Sequence, residues 1–432
     1  MIQGDTPENL EHVLKTNFWA YEKGPTFKGA LGDLFGDGIF VADGHDWKFQ
    51  RKLASHIFNV KAFREYTSDV FVIEGQRVVD YLTKAADEGT VVDLHELFLK
   101  FTLDSFGTIS FGKSFGCLES MDEKVDFAVS FDDLTATCSD RLLDPLWKIR
   151  ESLTGVHKKA MYDKDLIGKH ALAIIEKRRR EGYHAEKKDL LQLFMEVRDE
   201  NGQPLTDDYI ASIILNATIA GRDTTAQALS WMFYLLNRDG SNPEDKTQLF
   251  EEVDNVLQGG IPSYETYKQL KFAEAWSRAL TNNLPSIPVQ LGLRLYPSVP
   301  RNMKQCVQDD VLPDGTRIYK GEWFTWSSYV MGRSELIWGP DAKEYKPSRW
   351  INSEKPSQGK FSSFHAGPRV CIGQQFATIE AMTIIAMILS KLDITLVNPS
   401  KVPPYGVSLT MPMLEGLPVR IKRRQTSFSK EE

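Results

Sequence analysis

The sequence predicts a mainly α-helical protein with a small β region. Helical periodicity runs from Tyr66 to Arg180, and a long, mainly apolar helix is predicted over Asp207 to Asn237, after the cap Thr206. The apolar stretch from Ala377 to Leu392 also has the length of a helix. Short strands are expected in three places, near Val307–Ile318, Trp323–Ser327 and Val407–Ile421.

Several shorter elements flank these helices. Residues Pro7 to Lys15 predict a short helix, because Thr6 and Pro7 form a start signal. The glycine-rich stretch from Gly24 to Gly38 is expected to be a loop. The basic run from Lys177 to Arg180 predicts a solvated helix end, where cations favour the negative end of the dipole.

Composition excludes some classes of protein. The 432 residues carry a formal net charge of −7, which argues against general nucleic-acid binding. The four cysteines are widely spaced and form no CxxC pair, which indicates free thiols in a reducing compartment. There is no apolar run of about 18 residues and no signal sequence. As written, the chain is expected to be soluble and cytoplasmic.

One cysteine stands in a distinctive setting. Gly367 and Pro368 predict a tight turn, and Arg369 places a cation two residues before Cys371. A helix is predicted to follow, so the sulfur lies near a helix N-terminus, where the dipole and backbone N–H groups favour thiolate. A thiolate in this position suits a haem iron, because it favours cleavage of bound dioxygen.

The pattern Phe364-x-x-Gly367-x-Arg369-x-Cys371-x-Gly373 resembles the haem-binding signature of the cytochrome P450 monooxygenases at all five fixed positions. The resemblance implies haem b as cofactor, Cys371 as the axial ligand of its iron, and the single-domain, mainly α fold of that family. The alternative is a buried cysteine in a glycine–proline loop.

A second feature is the pair Trp47 and Arg51. Four residues apart on a helix, they share one face, and an indole N–H beside a guanidinium can clamp a carboxylate. In the family that this sequence resembles, such a pair holds a haem propionate. The alternative is ordinary packing on a helix surface.

A third feature lies inside the long helix. The run from Ala220 to Thr225 places a glycine, an acid and two hydroxyls where burial makes polar groups costly. Threonine can bond the carbonyl four residues back and bend a helix. The run is similar to the oxygen-activating helix of the same family. This implies that Asp223 and Thr224 relay the protons that bound dioxygen needs. A helix with an incidental polar patch is the alternative.

The family pattern breaks before Arg294. There the family has a buried Glu-x-x-Arg pair joined to a second arginine, and Arg349 matches that second arginine. The glutamate is missing, because Leu291 stands three residues before Arg294 and the nearest upstream acid is Glu274. Breaking a buried charge pair typically destabilises a protein by about 3–5 kcal/mol.

The segment Trp276–Gln290 looks like an anomalous insertion, since Pro285 and Pro288 end any helix there. By comparison with the family, the chain also begins late, without the anchor and first helix. We hypothesise a gene-model error that includes translated intron; the rival is a true pseudoenzyme. The P450-like catalytic domain is expected over residues 1–424, followed by a polar tail over 425–432.

Several stretches resemble the fatty-acid ω-hydroxylase branch of the family, among them Asp310–Thr316, Tyr329–Arg333 and Leu295–Pro300. Residues expected to line an apolar pocket for a long-chain lipid or another lipophilic compound are Ala220, Ser298 and Val299.

Electrons must come from a partner, because the chain has no nicotinamide or flavin fingerprint. The resemblance implies an NADPH-dependent reductase, docked on the cysteine side near Lys48, Lys52, Lys360 and Arg369. It also implies the endoplasmic reticulum membrane as location for a full-length form.

Three functions compete. The first is a monooxygenase that hydroxylates fatty acids. The second is a haem-thiolate isomerase or dehydratase that rearranges lipid hydroperoxides without external electrons; the acid–alcohol pair of Asp223 and Thr224 counts against it. The third is an inactive or misassembled chain.

Overall fold

The structure is a computed structural model that describes residues 1–58, 61–121, 125–182, 189–263, 266, 292–350, 356–406 and 408–425. Within these ranges helices dominate, as the sequence predicts. The α-helices are α1 Pro7–Glu11, α2 Gly24–Phe35, α3 Gly44–Phe58, α4 Lys61–Glu88, α5 Leu94–Phe111, α6 Asp126–Arg141, α7 Trp147–Thr154, α8 Val156–Glu181, α9 Leu190–Glu196, α10 Asp207–Asn237, α11 Pro243–Leu257, α12 Ser328–Met331, α13 Glu335–Trp338 and α14 Gln374–Leu389.

The strands are short and form three small sheets. They are β1 Ile2–Gln3, β2 Tyr21–Glu22, β3 Val92–Asp93, β4 Asn302–Cys306, β5 Asp310–Val311, β6 Arg317–Ile318, β7 Trp323–Trp326, β8 Leu392–Leu396 and β9 Pro418–Arg423. The sheet orders are β1-β7-β4-β2, β3-β9-β8 and β5-β6. The mainly α fold with a small β region is confirmed.

Helix α10 is the centre of the molecule. The Thr206 hydroxyl caps it by accepting the N–H of Tyr209 at 3.3 Å. It packs against α5 so closely that a Cβ on Gly221 would lie 2.2 Å from the Phe106 ring. The predicted bounds of this helix are confirmed, because cap, length and apolar character all agree.

Helix α14 places the cysteine loop against this core. Its residues are almost all buried, and it packs on α4, where a Cβ on Gly75 would lie 2.8 Å from the Met387 sulfur. The loop that carries Cys371 ends at Gly373, directly before the first residue of α14, so the position of α14 fixes the position of this loop.

Some local predictions were wrong. The stretch from Gly24 to Gly38 is mostly the helix α2 rather than a loop, because Phe27, Leu31 and Leu34 form one buried face. Arg178 is not a solvated helix end either: it is 5% exposed and pairs with both oxygens of Asp189, at 3.0 and 2.9 Å.

The strand predictions were partly right. Strand β7 was predicted to within a residue. Within 408–421, the described part of Val407–Ile421, the only strand is the start of β9, from Pro418 onward, and β8 at Leu392–Leu396 was missed. The proposed insertion Trp276–Gln290 and most of the polar tail lie outside the described residues. Among the described helices, none has both the length and the apolar character to cross a membrane.

Candidate active site

The cysteine loop is held by backbone contacts. Residues Gly367–Arg369 form a 3₁₀ turn, and the N–H of Cys371 donates to the carbonyl of Phe364 at 2.9 Å. Gly367 has φ +61°, and a Cβ there would lie 1.9 Å from the carbonyl oxygen of Leu14. Only glycine satisfies both constraints, so this position anchors the loop to the N-terminal helices.

The Cys371 thiol combines accessible surface with a deep position in the chain. This burial raises the pKa of the thiol. Backbone N–H groups of Gly373 and Gln374, at the start of α14, and the guanidinium of Arg51 oppose that rise. Burial outweighs these three contributions, so the sulfur keeps its proton more strongly than an ordinary cysteine, and the groups that would favour a thiolate are already in place beside it.

Arginine and tryptophan side chains lie near this cysteine loop. Trp47 is 5% exposed, and the Cζ of Arg369 lies 4.5 Å from the centre of its ring. Arg369 also donates to Asp43 at 2.6 Å and to the Ala42 carbonyl at 2.9 Å. Burial lowers the pKa of Arg51, and the nearby Cys371 partly opposes this. The structure thus brings Trp47, Arg51 and Arg369 together.

Two lysines that the sequence did not single out join this group. Lys304 is 1% exposed, and its Nζ has no hydrogen-bond partner in the part of the chain that the structure describes. Burial, with repulsion from Arg369 and Lys23, lowers its pKa well below the ordinary value. Burial likewise lowers the pKa of Lys23 to about 7. An unpaired buried ammonium is costly, so Lys304 is placed for an anion.

This donor set fits a haem. The Cys371 thiol interacts electrostatically with Arg51, Arg51 with Arg369, and Arg369 with Lys304. Asp43 is the carboxylate that acts most strongly on Arg369 and Lys304, so cations are in excess here. Haem carries two propionates, which would complement Trp47, Arg51, Arg369 and Lys304. Lys304 could not have been found from spacing, because it lies on β4, far from the cysteine motif in sequence.

On α10, Thr224 makes the backbone contact expected of it. Its hydroxyl donates to the carbonyl of Ala220 at 2.6 Å. The hydroxyl of Ser298 donates to the carbonyl of Thr224 at 2.7 Å, which ties the 298–300 turn to the helix. The Ser298 hydroxyl therefore already has a partner on α10. The other two residues expected to line the pocket, Ala220 and Val299, are half-buried.

Asp223 sits in a buried polar network. Arg222 lies 3.3 Å from Asp223 and donates through two nitrogens to Asp132 on α6. Gln227 donates to the Thr410 hydroxyl at 3.0 Å, and that hydroxyl in turn bonds Asp223. Burial raises the pKa of Asp223 to about 6, with Arg222 opposing the rise. An acid with this pKa can exchange a proton near neutrality.

A second buried acid was missed. Glu380 on α14 is fully buried, and burial raises its pKa well above the ordinary value, with Thr225 opposing this. This carboxyl lies beside Thr225, next to the relay residues of α10. The sequence signal that could have found Glu380 is an acidic residue inside an otherwise apolar run.

The two arginines of the interrupted motif converge on one segment. Arg294, 1% exposed, donates to the carbonyls of Gly332 and Glu344 at 2.6 Å each, and also to that of Ala342. Arg349 donates to the Trp338 carbonyl at 2.7 Å and pairs with Asp341.

The described residues offer Arg294 no carboxylate within 4.0 Å, and its Nε is unpartnered. Burial lowers the pKa of Arg294 to about 9, and Arg349 and Arg333 add repulsion. Leu291, where the family has its glutamate, lies outside the described residues.

Comparisons with known proteins agree with this site. The family model "Cytochrome P450" matches residues 4–415. The chain is 36% identical to "Cytochrome P450 monooxygenase cyp1" of Mycosarcoma maydis, over 98% of this chain and 68% of that protein. It is 35% identical to "Cytochrome P450 86B1" of Arabidopsis thaliana, over 98% of this chain and 77% of that protein. It is 32% identical to "Cytochrome P450 94A2" of Vicia sativa, over 97% of this chain and 81% of that protein.

These matches span nearly the whole chain. They cover the cysteine loop, the long helix α10 and the Trp47 helix together, so the similarity is not confined to one motif. Haem is the cofactor of this family, and a redox partner supplies its electrons. The chain belongs to the cytochrome P450 family of monooxygenases.

Proposed function

We propose that this monooxygenase inserts one oxygen atom of dioxygen into an aliphatic C–H bond of long-chain fatty acids, with electrons from NADPH through a reductase. The observation that carries the proposal is the combination of an accessible, deeply placed Cys371 thiol with an intact Asp223 and Thr224 pair on α10. The stretches from Leu295 to Pro300 and Asp310 to Thr316, which resemble the ω-hydroxylase branch, support the substrate class.

Each residue has a defined part in the reaction. When bound, the haem supplies the chemistry that activates dioxygen. Cys371 would ligate its iron as thiolate, while Trp47, Arg51 and Lys304 would bind its carboxylates. Asp223 holds a proton at its carboxyl oxygen, and the Thr224 hydroxyl passes protons toward the oxygen site. The buried surroundings of α10 exclude bulk water from this path.

Substrate class is tested by product analysis. We expect purified protein, reductase and NADPH to convert a saturated long-chain fatty acid into its ω-hydroxy derivative, identified by mass spectrometry. An aromatic lipophile of similar size serves as the comparison substrate. Faster turnover of the aromatic compound, with no hydroxy fatty acid, would overturn the substrate assignment.

The proton relay predicts a pH effect. Because the pKa of Asp223 is raised to about 6, its protonated fraction falls as pH rises through that value. Replacing it in Asp223→Asn is expected to lower hydroxylation about a hundredfold and to remove the pH dependence of the rate near that pKa. Product formed per NADPH consumed should fall as well, since dioxygen reduction no longer leads to hydroxylation.

The variant Asp132→Asn provides a second test, because it should shift the pH–rate profile in a predictable direction. Asp132 raises the pKa of Asp223, and its loss leaves Arg222 free to pair with Asp223. We therefore expect the limb of the pH–rate profile to move to lower pH in this variant. An unchanged profile in both variants would rule out Asp223 as the relay.

The isomerase or dehydratase alternative makes a different prediction. Such chemistry consumes a lipid hydroperoxide without NADPH or reductase, and it has no use for Asp223 as a proton donor to dioxygen. Turnover of a hydroperoxide that is insensitive to Asp223→Asn would favour it over the monooxygenase.

We also propose that the protein works at the endoplasmic reticulum membrane, which the family resemblance implies. The helix α7 and its flanks present Leu146, Ile149 and Leu153 to solvent, with 65, 61 and 82% of their surfaces exposed. Contiguous exposed apolar side chains of this kind indicate a lipid or protein contact. Fractionation of cells that express the protein tests the location.

A further inference from the structure

We propose that Gln227 is a positioning residue for the proton relay, because it holds the Thr410 hydroxyl so that the proton of that hydroxyl points at Asp223. This inference rests on the proposed function, which assigns the relay to Asp223. Gln227 lies on α10, one helical turn after Asp223, and is 1% exposed. Thr410 belongs to the turn over residues 408–411, which packs on α10 although it lies 183 positions further along the chain.

The orientation of the Gln227 amide is fixed by a backbone group. The N–H of Met411 lies 2.9 Å from Oε1 of Gln227, and a backbone N–H can only donate a hydrogen bond. The atom that it meets must therefore be the amide oxygen, since the amide nitrogen is itself a donor. The Nε2 of Gln227 is then left for Thr410, whose Oγ1 lies 3.0 Å away.

This contact decides what the Thr410 hydroxyl does. A hydroxyl has one proton to donate and two lone pairs that accept. Because Nε2 of Gln227 can only donate, the Thr410 oxygen accepts from it, and the hydroxyl proton is left for Asp223. The hydrogen bonds therefore run in one direction, from the Met411 N–H through Gln227 and Thr410 to the Asp223 carboxyl.

A second side chain of α10 holds the same turn. Trp231, one helical turn after Gln227, donates from Nε1 to the carbonyl of Met411 at 3.3 Å. Gln227 and Trp231 thus bond both backbone polar groups of Met411, which is 1% exposed. These two contacts fix the turn along α10 at the level where Thr410 reaches Asp223.

The titratable and charged groups around Asp223 come from its own helix and from three others. They are Arg222 on α10, Asp132 on α6, His95 on α5 and Glu380 on α14. Arg222 and Asp132 act on Asp223 directly, whereas His95 interacts with Arg222 and Glu380 bonds Thr225. Changes at Gln227 and Thr410 leave all four groups in place, so a change in the titration of Asp223 reports the hydrogen bond from Thr410.

Infrared titration of the Asp223 carboxyl in the purified holoprotein tests the proposal. The carbonyl stretch of the protonated acid is assigned by its absence in Asp223→Asn. The bond from Thr410 lowers the pKa of Asp223, so Thr410→Val is expected to raise the titration midpoint by about one pH unit. Gln227→Met keeps the length of the side chain but neither polar atom. It should raise the midpoint less, because the Thr410 hydroxyl loses its fixed direction but keeps its proton.

Two further measurements separate positioning from a general loss of structure. In the double variant with Gln227→Met and Thr410→Val, the midpoint should rise no further than in Thr410→Val alone, because Gln227 acts through Thr410. The amide hydrogen of Met411 should exchange faster in Gln227→Met, since it loses its acceptor.

Thr218 provides the matched control. Its buried hydroxyl lies on the same helix and donates to the carbonyl of Ile214 at 2.9 Å. Thr218→Val therefore removes a buried hydroxyl without breaking the hydrogen bonds that lead to Asp223. The midpoint should be unchanged in Thr218→Val, and also in Thr410→Ser, which keeps the hydroxyl.

Where hydroxylation is measured, the limb of the pH–rate profile should move in the same direction as the infrared midpoint. A midpoint in Gln227→Met equal to that in Thr218→Val, or an additive rise in the double variant, would overturn the proposal. Failure of the proposed function would look different, because hydroxylation would then be absent in every chain, the unmodified one included, while the infrared midpoints could still be compared.

Discussion

Replacing Cys371 with serine is expected to reduce NADPH-driven turnover to less than about one thousandth of the unmodified rate, a loss of roughly 4 kcal/mol in transition-state stabilisation. Serine keeps the size of the side chain and the backbone turn, but its alkoxide is not available near neutral pH. The thiolate that Gly373, Gln374 and Arg51 favour would be lost, and with it the electron donation that promotes O–O cleavage.

The chain contains a suitable control for this substitution. Cys306 is 1% exposed, lies on β4, and its thiol donates to the Gln308 carbonyl at 2.7 Å. A serine hydroxyl can make the same contact, so Cys306→Ser should retain turnover. Comparable activity in Cys371→Ser and Cys306→Ser would show that Cys371 is not the ligand.

Removing the guanidinium of Arg294 is expected to give the largest loss of stability. In Arg294→Leu the carbonyls of Gly332, Ala342 and Glu344 lose their donors. An unsatisfied buried carbonyl costs about 1–3 kcal/mol, and relief of the buried charge offsets part of the sum. We expect a net loss of about 3 kcal/mol, seen as a fall in the thermal midpoint of about 3 °C.

An exposed arginine provides the comparison. Arg301 lies on the surface, and Arg301→Leu should change the midpoint by less than about 1 °C, since such sites rarely contribute more than about 0.5 kcal/mol. If Arg294→Leu were as stable as Arg301→Leu, the arginine would not hold the 332–344 segment. Transcript sequencing across the codons for Ala275 to Arg294 separately tests whether a glutamate precedes Arg294.

Local signals were enough to predict some of the fold. The bounds of α10 followed from Thr206 and the apolar run after it, because cap and periodicity agree there. Helix α2 was missed because its glycines outweighed the buried face of Phe27, Leu31 and Leu34. Strand β8 was missed because the helix prediction was extended to Leu392, although Leu392, Ile394 and Leu396 alternate with polar residues as a half-buried strand does.

The residues of the candidate site also fall into two groups, those that the sequence predicted and those that only the fold reveals. Cys371 and Arg369 lie in one short motif, so spacing alone brought them together. Lys304 could not be assigned from the sequence, because its unusual property is burial without a matching charge, which only the fold reveals. Glu380 had a signal, an acid inside an apolar run, but only the fold shows that it lies beside Thr225. The contact of Arg222 with Asp132 likewise joins residues that are 90 positions apart.

The most direct test of the central claim is the carbon monoxide difference spectrum of the unmodified chain, purified with haem and reduced with dithionite. If Cys371 ligates the iron as thiolate, the spectrum will show the long-wavelength Soret band typical of haem-thiolate proteins, and Cys371→Ser will lack it. A chain that takes up no haem, or gives the shorter-wavelength band of a neutral ligand, would contradict the account and favour an inactive P450-like protein.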